Sequence, residues 1–225
     1  MGSLTAQTNS ISTALPAPEC RRRPRFLCLH GFRTSGAIMR AQVMGKWPDR
    51  VTSRLHLFFA DALFPAEGKS DVEGIFDPPY YEWFQFDKKF MEYRNFDECL
   101  DYIEDLMIKH GPFDGLMGFS QARSDAVGGD RRDAGEGFGF EKGAKGEVRD
   151  HNRRGEVPLT GEMDFLKGPS EALLDVFANP TVVRHPKGHT VPRLDDKSLE
   201  KVLRYIESIE KDLDGELWVN AGEEA

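Results

Sequence analysis

Cysteine is scarce in these 225 residues, with Cys20, Cys28 and Cys99 the whole supply. Three thiols that share no metal-ligand spacing exclude a disulfide framework and a zinc site, and they fit a reducing, intracellular setting. No run of 18 apolar residues occurs, so no membrane-spanning helix is expected. Residues 1 to 20 lack the charged start and apolar middle of a secretory signal. Ala6 stands where a myristoylation signal starting at Gly2 needs Ser or Thr. Excess basic charge is missing too: the formal net charge is -8, which argues against broad electrostatic binding to nucleic acid or to an anionic bilayer. The one basic cluster, Arg21, Arg22, Arg23 and Arg25, has no interleaved aromatics and reads as a solvated arm. A cytoplasmic location is expected.

What is present is an alternation of apolar runs and helical stripes. Phe26-Leu27-Cys28-Leu29 stops at a loop, as a strand buried on both faces of a parallel sheet does. A helix from Ala37 to Lys46, a second strand Leu55-His56-Leu57-Phe58-Phe59 and a right-handed crossover follow. Residues 61 to 96 break this rhythm with Pro65, Gly68, Gly74, Pro78 and Pro79, while nine aromatics crowd Phe76 to Phe96. Two readings of this long loop stay open: its aromatics wall an apolar pocket, or they pack the loop onto the sheet. Asn95 is placed to cap a helix running through Phe96, Cys99, Leu100, Ile103, Leu106 and Met107 to Gly111-Pro112. A strand then leads into Gly118-Phe119-Ser120. Downstream, Pro169 to Phe177 reads as a helix, Thr181 to His185 as a strand and Asp195 to Lys211 as a final amphipathic helix. The pattern predicts the α/β class, a mostly parallel sheet with helices on both faces.

Gly118-Phe119-Ser120-Gln121-Ala122 nearly matches the nucleophile elbow G-x-S-x-G, with alanine in place of the second glycine. Small residues are needed there because bulk beside a strained serine would clash with the neighbouring strand and helix. Asp164 and His189 follow in the chain order Ser, acid, His that such a fold requires. Asp164 also suits a helix-entry cap. His185 competes with His189 but lies within the strand rather than in the loop after it. The backbone N–H groups of Phe32 and Gln121 are candidates for an oxyanion hole, each donor being worth on the order of 3 kcal/mol. Arg33, Thr34 and Ser35 either rim the pocket or cap the next helix.

Taken together, Leu29-His30-Gly31-Phe32-Arg33-Thr34-Ser35-Gly36, Gly118-Phe119-Ser120-Gln121, Gly161-Glu162-Met163-Asp164-Phe165 and Gly188-His189-Thr190-Val191-Pro192 resemble the FSH family of serine hydrolases. The resemblance implies an α/β-hydrolase fold and carboxylic ester hydrolysis. It implies Ser120 as nucleophile, His189 as general base and then acid, and Asp164 as its orienting partner. No cofactor or metal is expected. The expected partner is a small-molecule ester with an apolar part, and neither nucleic acid nor a membrane span is expected.

Between Ala122 and Val157 the composition changes: Gly, Arg, Asp, Glu and Lys dominate, and neither a strand nor an amphipathic helix can be drawn. The fold is therefore expected to be disrupted at residues 122–158, where the resembling family places another core strand before its acid. Codon degeneracy offers a reason. Read one nucleotide later, Glu141 to Leu159 can encode R-K-V-P-K-V-K-F-V-I-I-I-G-G-A-K-F-R-S, a buried strand ending in a Gly-Gly turn. The segment reads either as an out-of-frame translation or as a genuine disordered insertion. The expected organisation is a flexible leader 1–24, a hydrolase domain 25–212 and an acidic tail 213–225. The expected activity is that of a serine hydrolase impaired by this segment, and a catalytically inactive binding protein on the same fold is the rival.

Overall fold

The computed structural model describes residues 22–86, 93–119, 159–162, 182–187 and 190–223. In chain order its elements are β1 (Arg25–Leu29), α1 (Gly36–Lys46), α2 (Asp49–Thr52), β2 (His56–Ala60), β3 (Phe64–Pro65), β4 (Tyr81–Glu82), β5 (Gln85–Phe86), β6 (Tyr93–Arg94), α3 (Phe96–His110), β7 (Gly115–Gly118), β8 (Leu159–Gly161), β9 (Val183–His185) and α4 (Asp196–Glu223). The fold is α/β, as the alternation predicts. Strand β1 lies between β2 and β7 and is parallel to both. Strands β8 and β9 form a second parallel pair.

The period-two geometry of a strand covered on both faces explains why β1 is apolar from Phe26 onward. Phe26 and Cys28 enter one core with Met39 and Val43 of α1 and with Leu199, Val202, Ile206 and Ile209 of α4. Leu27 and Leu29 enter the opposite core with Ile103, Leu106 and Met107 of α3 and with Trp83 and Phe84. A fully buried side chain of this kind contributes about 1.5–3 kcal/mol before ordering costs. Helix α4 extends past the expected end at Lys211 because Leu213 continues its buried stripe. Its start is capped by Asp195, whose Oδ1 accepts the Ser198 N–H at 2.8 Å.

Three expectations are corrected. The basic cluster is not simply a solvated arm: Arg22 grips Asp114 through both Nη atoms at 2.7 Å. The Asp114 side chain is fully buried at the entry to β7 and needs a counter-charge there. Arg25 donates to the His110 carbonyl at 2.8 Å and the Pro112 carbonyl at 3.3 Å. Secondly, the stretch from 61 to 96 is not one irregular loop, because β3 pairs with β4 and β5 with β6, each antiparallel. Trp83 and Phe84 go into the core beneath it, at 1% and 0% exposure, so part of the aromatic cluster packs the loop onto the sheet. Thirdly, Asn95 occupies the N-cap position of α3 without a capping side-chain bond. Its φ of 61° turns the side chain toward Gln85, whose Oε1 accepts from Asn95 Nδ2 at 3.0 Å. The helix expected at Pro169 to Phe177 and the segment 122–158 lie outside the described residues.

Candidate active site

Parallel strands end along one edge, and that is where open α/β sheets bind their ligands. Leu29 is in register with Ala60 of β2 and Gly118 of β7, so the chain leaves all three strands side by side, at Asp61, His30 and Phe119. The Phe119 N–H donates to the Leu29 carbonyl at 3.1 Å. The chain therefore leaves β7 next to the loop from His30 to Gly36.

That loop is built around His30, whose ring is completely buried. The Ala62 N–H donates to Nε2 at 3.0 Å, so Nε2 carries no proton. Nδ1 carries it and faces the Gly31 carbonyl at 2.8 Å and Thr34 Oγ1 at 3.2 Å. Thr34 in turn donates its hydroxyl to the Gly31 carbonyl at 2.8 Å. Trp83 Nε1 donates to the His30 carbonyl at 2.8 Å, and the two rings lie 5.1 Å apart. Burial pushes the His30 pKa below its ordinary value, against the opposing pull of the Gly31 carbonyl and Asp61. With its lone pair committed to a backbone N–H, this neutral imidazole braces the loop and is no general base.

The end of the loop is pinned to β2. Ser35 is the N-cap of α1, its Oγ accepting the Ile38 N–H at 3.3 Å, while Asp61 Oδ1 accepts the Gly36 N–H at 2.8 Å. Position 36 admits only glycine without rearrangement, since a Cβ there would stand 2.8 Å from the Ala60 carbonyl oxygen. Of the three residues weighed for rim or cap, Ser35 caps the helix and Thr34 closes the loop on itself. Arg33 points away from the helix and reaches Glu82 and the carbonyls of Glu67 and Lys69.

Phe32, the expected oxyanion donor in this loop, is half-buried with its ring beneath the Arg33 guanidinium, 4.5 Å from centroid to Cζ. Ser120, Gln121, Asp164 and His189 lie outside the described residues. The loop that follows His189 is held by α1: Lys46 Nζ donates to Thr190 Oγ1 and to the Val191 carbonyl, both at 2.8 Å. Burial, and after it the charge of Arg193, lowers the Lys46 pKa. His185 is in strand β9 and buried. Sequence reasoning did not single out Asp61, Glu82 or Trp83, which support the loop from positions remote in the chain. Among the described residues no group of three His, Cys, Asp or Glu side chains is placed to hold a metal ion.

Comparison with known proteins points to the family that the motifs resemble. Residues 20–122 match the family described as Serine hydrolase (FSH1). Esterase FUS5 of Gibberella fujikuroi is 34% identical over 110 residues, covering 46% of this chain and 47% of that protein. The chain thus spans about half the length of that relative. Esterase OVCA2 of Xenopus tropicalis is 28% identical over 216 residues, covering 80% of this chain and 91% of that protein. Esterase AGAP003155 of Anopheles gambiae is 26% identical over 224 residues, covering 89% and 84%. Residues 20–122 carry the sequence pattern of the FSH serine hydrolases, and by that pattern the chain resembles this family of esterases.

Proposed function

We propose that this chain hydrolyses carboxylic esters through an acyl-enzyme. In this reading His189 takes the proton of the Ser120 hydroxyl as Oγ attacks the ester carbonyl, and Asp164 holds the imidazole in the tautomer that can accept it. The tetrahedral oxyanion is met by the N–H groups of Phe32 and Gln121. His189 then returns the proton to the departing alkoxide, and water repeats the sequence on the acyl-enzyme. The observation that carries this reading is the junction of β1 and β7. Phe119, one residue before Ser120, is hydrogen-bonded to Leu29, three residues before Phe32. The segments that lead to Ser120 and to Phe32 thus leave neighbouring strand ends, which supports this reading. Exposed Leu63 and Ile75 on the segment between β2 and β4 favour an ester with an apolar part. A cytoplasmic setting belongs to the same proposal and is supported by the scarcity of cysteine, three in 225 residues.

The test is labelling with a fluorophosphonate. Wild type is expected to react and Ser120→Ala to stay unlabelled; a folded wild-type chain that does not react sinks the hydrolase reading. One finding favours the rival, an inactive binding protein on the hydrolase fold. The family match stops at residue 122, where the composition changes. That rival predicts an unlabelled chain that still binds apolar esters.

A further inference from the structure

The loop that bears the Phe32 amide is gripped by the side chain of the next residue. Arg33 has φ of 51°, the left-handed region, which is strained for a non-glycine residue. Such a conformation persists only where its surroundings over-determine it. Here they do. Arg33 Nε donates to Glu82 Oε1 at 2.7 Å, Nη2 to the Glu67 carbonyl at 2.7 Å and Nη1 to the Lys69 carbonyl at 3.2 Å. Glu82 is 2% exposed, and its Oε1 also accepts the Glu67 N–H at 3.2 Å. The backbone that follows the Arg33 side chain is held as well: the Ser70 hydroxyl donates to the Arg33 carbonyl at 2.6 Å, and the Tyr81 N–H to the Thr34 carbonyl at 2.7 Å. Gly68 completes the socket. A Cβ at that residue would lie 2.7 Å from Arg33 Nη1, and its φ of 132° excludes most side chains in any case.

We propose that Arg33 is a positioning residue: seated in the socket formed by residues 67–70 and Glu82, it fixes the backbone of Phe32 and so aims that amide at the oxyanion. The inference rests on the hydrolase reading. Arg33 acts through Phe32, because its bonds run to carbonyls and a carboxylate of the protein and its face covers the Phe32 ring. The socket matches a planar fork of donors, a shape that the single ammonium of lysine does not reproduce.

The test uses Arg33→Lys and, from the other side of the socket, Gly68→Ala, which leaves residues 31–35 unaltered. Hydrogen exchange of the amides of residues 31–35 is compared with that of the β1 amides, and kcat and KM are measured with p-nitrophenyl butyrate. Both variants are expected to speed exchange at 31–35 roughly tenfold with β1 unchanged. They are expected to lower kcat about 100-fold while KM moves less than about twofold, as for a displaced group that acts in the transition state. Unchanged exchange at 31–35 in two folded variants overturns the proposal, and so does faster exchange with an intact kcat. A wild type that neither reacts with fluorophosphonate nor cleaves the ester overturns the hydrolase reading and the oxyanion role with it, while exchange still decides whether the socket holds the loop.

Discussion

His30 is held with one ring nitrogen accepting and the other donating, a pattern only the neutral imidazole satisfies. Its lowered pKa has a consequence for stability. As pH falls below the ordinary value of 6.5, the unfolded chain takes up a proton that the folded chain refuses, so stability is lost from there down to the folded pKa. His30→Ala removes this dependence. It also leaves the Ala62 N–H unpaired and takes a buried ring from beside Trp83, for an expected cost of about 3 kcal/mol. Urea midpoints at pH 5.5 and 7.5 for both chains check this, and an equal pH dependence in the variant would refute the neutral state. At this scale the sequence was legible where neighbours in the chain are neighbours in space. The apolar run before His30-Gly31-Phe32 marked a loop after a buried strand, and the elbow motif marked Gly118-Phe119 as the exit of another. Glu82 could not be found in this way, since its tie to Arg33 spans 49 positions and nothing local marks a glutamate as buried.

Among the elements, helices were the most legible, because Cys99, Ile103, Leu106 and Met107 repeat at the spacing of one buried face. Their ends were less so. Asn95 promised a capping side chain, yet tertiary contact with Gln85 draws that side chain away, and the residue adopts the left-handed backbone that asparagine tolerates better than most. Replacing Asn95 by Gly and by Ala separates the two contributions. Both variants lose the bond to Gln85, so the difference between them reports the backbone alone. Asn95→Gly is expected to be more stable than Asn95→Ala by about 1 kcal/mol. Equal urea midpoints for the pair would show that α3 relaxes its entry to suit alanine. The short ladders β3–β4 and β5–β6 were not legible, because two-residue strands interrupted by Pro and Gly leave no periodicity to read.

For the whole molecule, the question is how the two parallel sheets meet. Met117 of β7 and Val183 of β9 pack into one core with α4, yet among the described residues β7 pairs only with β1, and β8 only with β9. One parallel strand between β7 and β8 would join them into a continuous sheet. The chain between those strands is the segment whose composition fails, and the alternate reading of Glu141 to Leu159 supplies a run of F-V-I-I-I, apolar enough for burial on both faces. The out-of-frame reading therefore predicts that the transcript encodes this run, and that a chain carrying it buries more surface. Its urea midpoint and m-value should both exceed those of the present chain, since m scales with the surface exposed on unfolding. Fluorophosphonate labelling of Ser120 should rise with them, because an elbow needs packed neighbours to hold its turn. A transcript with no such strand in a neighbouring frame, or a corrected chain with unchanged midpoint and m-value, would instead identify 122–158 as a genuine insertion that the sheet accommodates.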